Sequence, residues 1–127
     1  MQHNPFLLVA AVAVVLYIYV ERAGETQAAT FVQASWYEGP HSHMADGEVF
    51  DPRNPYSVAH PSLPFGTILQ LRNPRNGKSL LVVVRDRGPY IPGRTLDLTP
   101  AGAAQLGFKK EGVAWLSMDV LEEPYYP

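Results

Sequence analysis

The chain has 127 residues and a formal net charge of −2 at pH 7, with no cluster of lysine and arginine. One domain fits that length and two do not; the charge argues against a nucleic-acid partner, whose affinity comes mainly from neutralised phosphates. Charged residues are 17% and hydrophobic ones 46%, enough for a packed core, and the absence of cysteine excludes disulfides, thiolate chemistry, cysteine-based zinc sites and lipidation at an N-terminal cysteine. With 12 prolines and 10 glycines the chain must turn often, which predicts an all-β or loop-rich fold.

Phe6 to Val20 is an unbroken apolar run, followed by Glu21-Arg22 and the small residues Ala28-Ala29. A secretory signal has an apolar core of ~7–15 residues and a spanning helix needs ~17–25. The run stands at that border and reads either as a cleaved signal or as an uncleaved signal-anchor helix. A buried core helix is a poor reading, because nothing polar alternates with the apolar residues. Residues 1–29 are therefore expected to be leader and linker, with export or membrane anchoring by residues 6–20.

The folded domain is expected over 30–122. Thr30 to Tyr37 is strand-like, with Phe31, Val32, Trp36 and Tyr37. His41 to Asp51 is a polar loop with the turn dipeptide Asp46-Gly47, and Leu63 to Gly66 leads into a hairpin. Thr67 to Arg72 alternates, with Leu69 and Leu71 on one face and Gln70 and Arg72 on the other. Asn76-Gly77 supplies the turn and Lys78 to Arg85 the returning strand. After Thr95 to Leu98 a short helix is expected, with Thr99 as N-cap, Pro100 at its first position and Gly107 closing it. Trp115 to Leu121 reads as the last strand, with Trp115 in the core, and residues 123–127 as a tail. No tandem repeat or low-complexity segment is present.

One stretch concentrates the chemistry. Val82 to Val84 form a buried strand that delivers Asp86, between Arg85 and Arg87, onto the Gly88-Pro89 turn. A carboxylate on rigid backbone at a strand end suits catalysis. It also suits a structural ion pair with Arg85 or Arg87, and the triplet taken alone favours the ion pair.

The ordered motifs around it resemble the rare lipoprotein A family. They are Ala34-Ser35-Trp36-Tyr37, Ala45 to Asp51 (ADGEVFD), Val58-Ala59-His60, Leu63-Pro64-Phe65-Gly66-Thr67, Asn76-Gly77, Asp86-Arg87-Gly88-Pro89, Gly93-Arg94, Leu96-Asp97-Leu98 and Leu106-Gly107. The resemblance covers roughly Ala34 to Val120. It implies an all-β, six-stranded double-psi β-barrel with one or two short helices. It also implies an endolytic lytic transglycosylase that cuts peptidoglycan glycan strands, preferably those stripped of stem peptides, leaving anhydro-muramic ends. No cofactor and no metal are implied, and a monomer in the periplasm or cell envelope is expected.

Such a reaction needs one carboxylic acid with two tasks: protonating the leaving glycosidic oxygen, then accepting the proton of the muramic C6 hydroxyl. Asp86 matches the family position for that acid. Glu48 and His60 match the two others the family needs: Glu48 as a partner carboxylate or a stabiliser of an oxocarbenium-like transition state, His60 orienting Asp86, binding a sugar hydroxyl, or simply structural. Arg85 departs from the small polar residue usual before the acid, although strand alternation points it away from Asp86. Tyr90, Tyr37 and Trp36 are candidates to stack on sugar faces and Arg87 to bind substrate, with Trp36 equally a core residue. Asp97 reads as structural, and His41, His43, Asp46 and Asp51 lack metal-site spacing. The alternative function is a non-catalytic, expansin-like module that binds and loosens wall glycans; a β-glucan hydrolase ranks third.

Overall fold

The computed structural model describes residues 29–39 and 42–124. The apolar run Phe6 to Val20, His41 and the end of the tail lie outside the described residues. Six strands, β1 (Thr30–Trp36), β2 (Ser57–Ala59), β3 (Ile68–Arg72), β4 (Ser79–Asp86), β5 (Arg94–Leu98) and β6 (Val113–Glu122), close into a barrel in the order β1-β5-β2-β4-β3-β6. Two neighbouring pairs run parallel, β1 with β5 and β2 with β4; the other contacts are antiparallel. One helix, α1 (Pro100–Gln105), lies among the described residues.

Period-2 alternation fills the barrel. Along β4, Leu80, Val82, Val84 and Asp86 are buried, while Leu81 is half exposed. Leu69 and Leu71 of β3, Leu96 and Leu98 of β5 and Leu116 of β6 complete the interior, all fully buried. Removing one such leucine from water is worth ~1.5–3 kcal/mol. The helix is set as its sequence predicts: the Thr99 hydroxyl accepts from the Gly102 amide at 3.0 Å, Pro100 opens the first turn, and Gly107 follows the Leu106 cap at φ +78°.

Trp115 is not in the core. It is 60% exposed, because the inward register of β6 belongs to Leu116 and Trp115 falls on the outer face beside Gln33 of β1. A large apolar residue next to a buried position carries no sign of which face it takes; the register does. Trp36 is half buried against the core, and its indole Nε1 donates to the Lys109 carbonyl at 2.9 Å. Two strands have no clear signal of their own. Ser57–Ala59 is only three residues long, and Arg94–Leu98 pairs parallel to β1 through contacts distant in sequence.

Candidate active site

Strand register assembles the site. Ser35 of β1 pairs with Asp97 of β5, Asp97 with Ala59 of β2, and Ala59 with Asp86 of β4, so one row crosses four adjacent strands. The Ser35 hydroxyl donates to Asp97 Oδ1. Asp86 and Asp97 thus flank Ala59, two strand spacings apart, or roughly 10 Å between backbones at ~4.8 Å per spacing.

Asp86 ends the inward row of β4 and is 8% exposed. A carboxylate there needs partners. Its Oδ1 accepts from the backbone amides of Ala45 and Arg87, both at 2.9 Å, and its Oδ2 accepts from the Tyr37 hydroxyl at 2.8 Å. Neither flanking arginine forms an ion pair with it among the described residues. Arg85, on the opposite face, reaches Asp46 Oδ2 at 3.4 Å. Arg87 donates from Nη1 to the carbonyls of His60 (3.2 Å) and Leu63 (2.8 Å), with its guanidinium carbon 3.9 Å from the Phe65 ring centre. The structural ion-pair reading of Asp86 is thereby set aside, and Arg87 braces the 60–63 loop.

The turn carrying Glu48 docks on this strand end. Asp46 donates its amide to the Arg85 carbonyl at 3.0 Å, alongside the Ala45 contact to Asp86. Gly47, at φ +92°, reverses the chain, and a bridge between His43 and Val49 closes the turn. Glu48 itself is exposed at the tip, its amide on Asp46 Oδ1. His60 follows β2, and its amide donates to the Asp86 carbonyl at 3.1 Å. Its Nδ1 accepts from the amides of Ser62 (3.0 Å) and Leu63 (2.9 Å), so the imidazole is neutral with its proton on Nε2. Burial, then the Arg87 charge, hold its pKa below the usual histidine value.

Tyr37 leaves β1 with its amide on the Leu98 carbonyl and its ring 5.1 Å from that of Phe50. Burial pushes its hydroxyl pKa up, and the hydrogen bond to Asp86 and the charges of Asp86, Asp97 and Asp46 push it the same way. Tyr90, 75% exposed, stands four residues after Asp86 on the loop into β5. Among the described residues, no three histidine, aspartate or glutamate side chains gather as a metal site.

Sequence reasoning missed two parts of this arrangement. The Ala45 amide is a backbone group with no side-chain signal. The Tyr37 hydroxyl was masked by its aromatic ring, which suggested stacking; its place one residue beyond a strand end was the available clue.

A closed six-stranded barrel with these two parallel pairs is a double-psi β-barrel, and its mouth presents a buried, oriented carboxylate. The chain belongs to the lytic transglycolase family, whose model matches residues 29–118. A relative from Aquifex aeolicus, named probable endolytic peptidoglycan transglycosylase RlpA, is 38% identical over 114 residues, covering 85% of this chain and 50% of the relative. This chain therefore spans about half the length of that relative. Among solved structures, a Streptomyces papain inhibitor superposes with a TM-score of 0.62 at 21% identity, covering 77% of this chain and 98% of the inhibitor. The apo expansin of Clavibacter michiganensis gives 0.58 at 24% identity, covering 79% of this chain and 54% of the expansin. At those identities the fold alone is shared.

Proposed function

We propose that this chain is an endolytic lytic transglycosylase of peptidoglycan glycan strands, with Asp86 as its acid and base. The observation that carries the reading is a nearly buried carboxylate at the barrel mouth, held by three donors and free of both neighbouring guanidiniums. The family and the name of the Aquifex relative supply the reaction class.

In the first step, protonated Asp86 gives its proton to the oxygen between the muramic C1 and the next sugar. The C1–O bond breaks, its electron pair stays on that oxygen, and the leaving sugar departs with a free hydroxyl. In the second, the muramic C6 hydroxyl oxygen bonds to C1 and its proton returns to Asp86. No water is consumed, and the acid is regenerated. One carboxyl group suffices, whereas hydrolases use a second for water or for a covalent intermediate.

Glu48 is the partner carboxylate, acting through its charge on the oxocarbenium-like transition state from the docked turn. His60, with Nδ1 occupied by two amides, offers an Nε2 donor to a sugar hydroxyl, and its amide fixes the Asp86 backbone. Tyr90 and Trp36 offer ring faces for sugars, and Arg87 shapes the groove by holding the 60–63 loop. Residues 6–20 deliver the 30–122 barrel to the cell envelope, as cleaved signal or as anchor, with 123–127 as a tail. The substrate is peptide-stripped glycan, and the barrel acts as a monomer.

The test is mass spectrometry of soluble products released by the purified chain from intact and amidase-stripped sacculi, beside Asp86→Asn. Anhydro-muramic ends from the stripped sacculi, absent with the variant, are expected. Reducing ends would make the chain a hydrolase. Binding without release would make it a wall-binding module.

A further inference from the structure

We propose that Tyr37 is a positioning residue that aims the Asp86 proton, through its hydroxyl and not through a sugar-stacking ring face. The inference rests on the transglycosylase reading above.

It follows from counting acceptor sites. An ionised carboxylate has about four lone-pair positions. The Ala45 and Arg87 amides occupy Oδ1, and the Tyr37 hydroxyl occupies one position on Oδ2. Among the described donors that leaves a position on Oδ2, and a proton given to a glycosidic oxygen or taken from the C6 hydroxyl passes through it. Both backbone donors sit on Oδ1, so the choice between the two Oδ2 positions belongs to the phenol.

The phenol is built to make that choice reliably. The Tyr37 amide is tied to Leu98 O at 3.0 Å, and its ring rests against buried Phe50. Gly39, at φ +82°, lets the chain pass over Phe50, where a Cβ would stand 2.2 Å from Cδ1 of that ring. The upward-shifted pKa keeps the hydroxyl a donor across any working pH. Its neutrality also matters. A guanidinium would hold the anion through a stronger, charge-assisted bond, whereas a group that must be acid and then base is better served by a neutral donor. Both flanking arginines are engaged elsewhere, with Asp46 and with the carbonyls of His60 and Leu63. A half-buried ring clamped in this way is a poor platform for a sugar; Tyr90, at 75% exposure, is a better one.

The test is Tyr37→Phe, which keeps the ring and removes only the hydroxyl, assayed on soluble peptide-free glycan strands. Misplacing the proton is expected to lower kcat on the order of 100-fold with KM held. A stacking role gives the opposite split: full kcat in Tyr37→Phe and a raised KM in Tyr37→Ala. Wild-type kcat in Tyr37→Phe overturns the inference and leaves the transglycosylase reading standing. Absence of anhydro ends from the unmodified chain removes both. A second measurement needs neither turnover nor the Phe variant. In Asp86→Ala, the resonance of the Tyr37 ring carbon bearing the hydroxyl is expected to shift at fixed neutral pH, because the phenol has lost its acceptor. An unmoved resonance overturns the contact on which the inference stands.

Discussion

On the barrel wall, Asp86 ends an eight-residue strand, is 8% exposed, and has both carboxylate oxygens engaged. On the docked turn, Glu48 is exposed, and its side chain makes no hydrogen bond among the described residues. The proposed mechanism uses both carboxylates, and the fold treats them oppositely. The wall supplies geometry, because a strand end with paired neighbours allows little rotation of the side chain. In the proposed mechanism the turn supplies charge, which needs no fixed direction but is weakened by water. Proton transfer depends on angle and distance, so the proposed mechanism assigns it to the wall; the electrostatic support it assigns to Glu48 tolerates the turn.

The sharpest way to break this comparison is Asp86→Asn. Loss of the acid is expected to reduce anhydro-product formation by at least ~10²–10⁴-fold, with the barrel still folded by circular dichroism. An active variant would remove the wall from the chemistry. The wall itself is tested next by two substitutions on its opposite faces. Leu69→Ala, at a fully buried position, is expected to lose about 2–5 kcal/mol in urea unfolding. Trp115→Ala, at 60% exposure, is expected to stay within ~0.5 kcal/mol despite removing a larger side chain. Equal losses would mean that the outer face is packed in solution.

Glu48→Gln is expected to cost about tenfold in kcat, or ~1.4 kcal/mol, because an exposed charge acts through screening solvent. A loss as large as that of Asp86→Asn would mean that the turn carries proton chemistry. The smallest effect concerns His60, between wall and loop. Its folded-state pKa lies below the ordinary histidine value of 6.5, so the unfolded chain binds the extra proton first as pH falls. Its contribution to stability is therefore fully present above 6.5 and declines as pH drops from there toward the folded value. His60→Asn retains an oxygen acceptor for the Ser62 and Leu63 amides and does not titrate. Melting temperatures followed across that window are expected to slope less steeply in the variant; an unchanged slope would assign the acid sensitivity elsewhere.

Local pattern made much of the wall legible. The alternation of Leu69 and Leu71 with Gln70 and Arg72, the Asn76-Gly77 turn, the Val82 to Asp86 delivery and the Thr99 cap are short-range statements. Each is decided by side-chain period or turn chemistry within a few residues. The same alternation separates Arg85 from Asp86, and the ordered motifs point to the barrel and to Asp86, Glu48 and His60. Tertiary structure alone decided the remainder. Trp115 lies outward because β6 is registered by Leu116, and Ser57–Ala59 becomes a strand because β4 and β5 pair with it on either side. Tyr37 meets Asp86 across a sequence separation of 49 residues, and the Ala45 amide reaches it across 41. Such contacts have no period, and a backbone donor has no letter in the sequence. Only closing the barrel brings them onto one carboxylate.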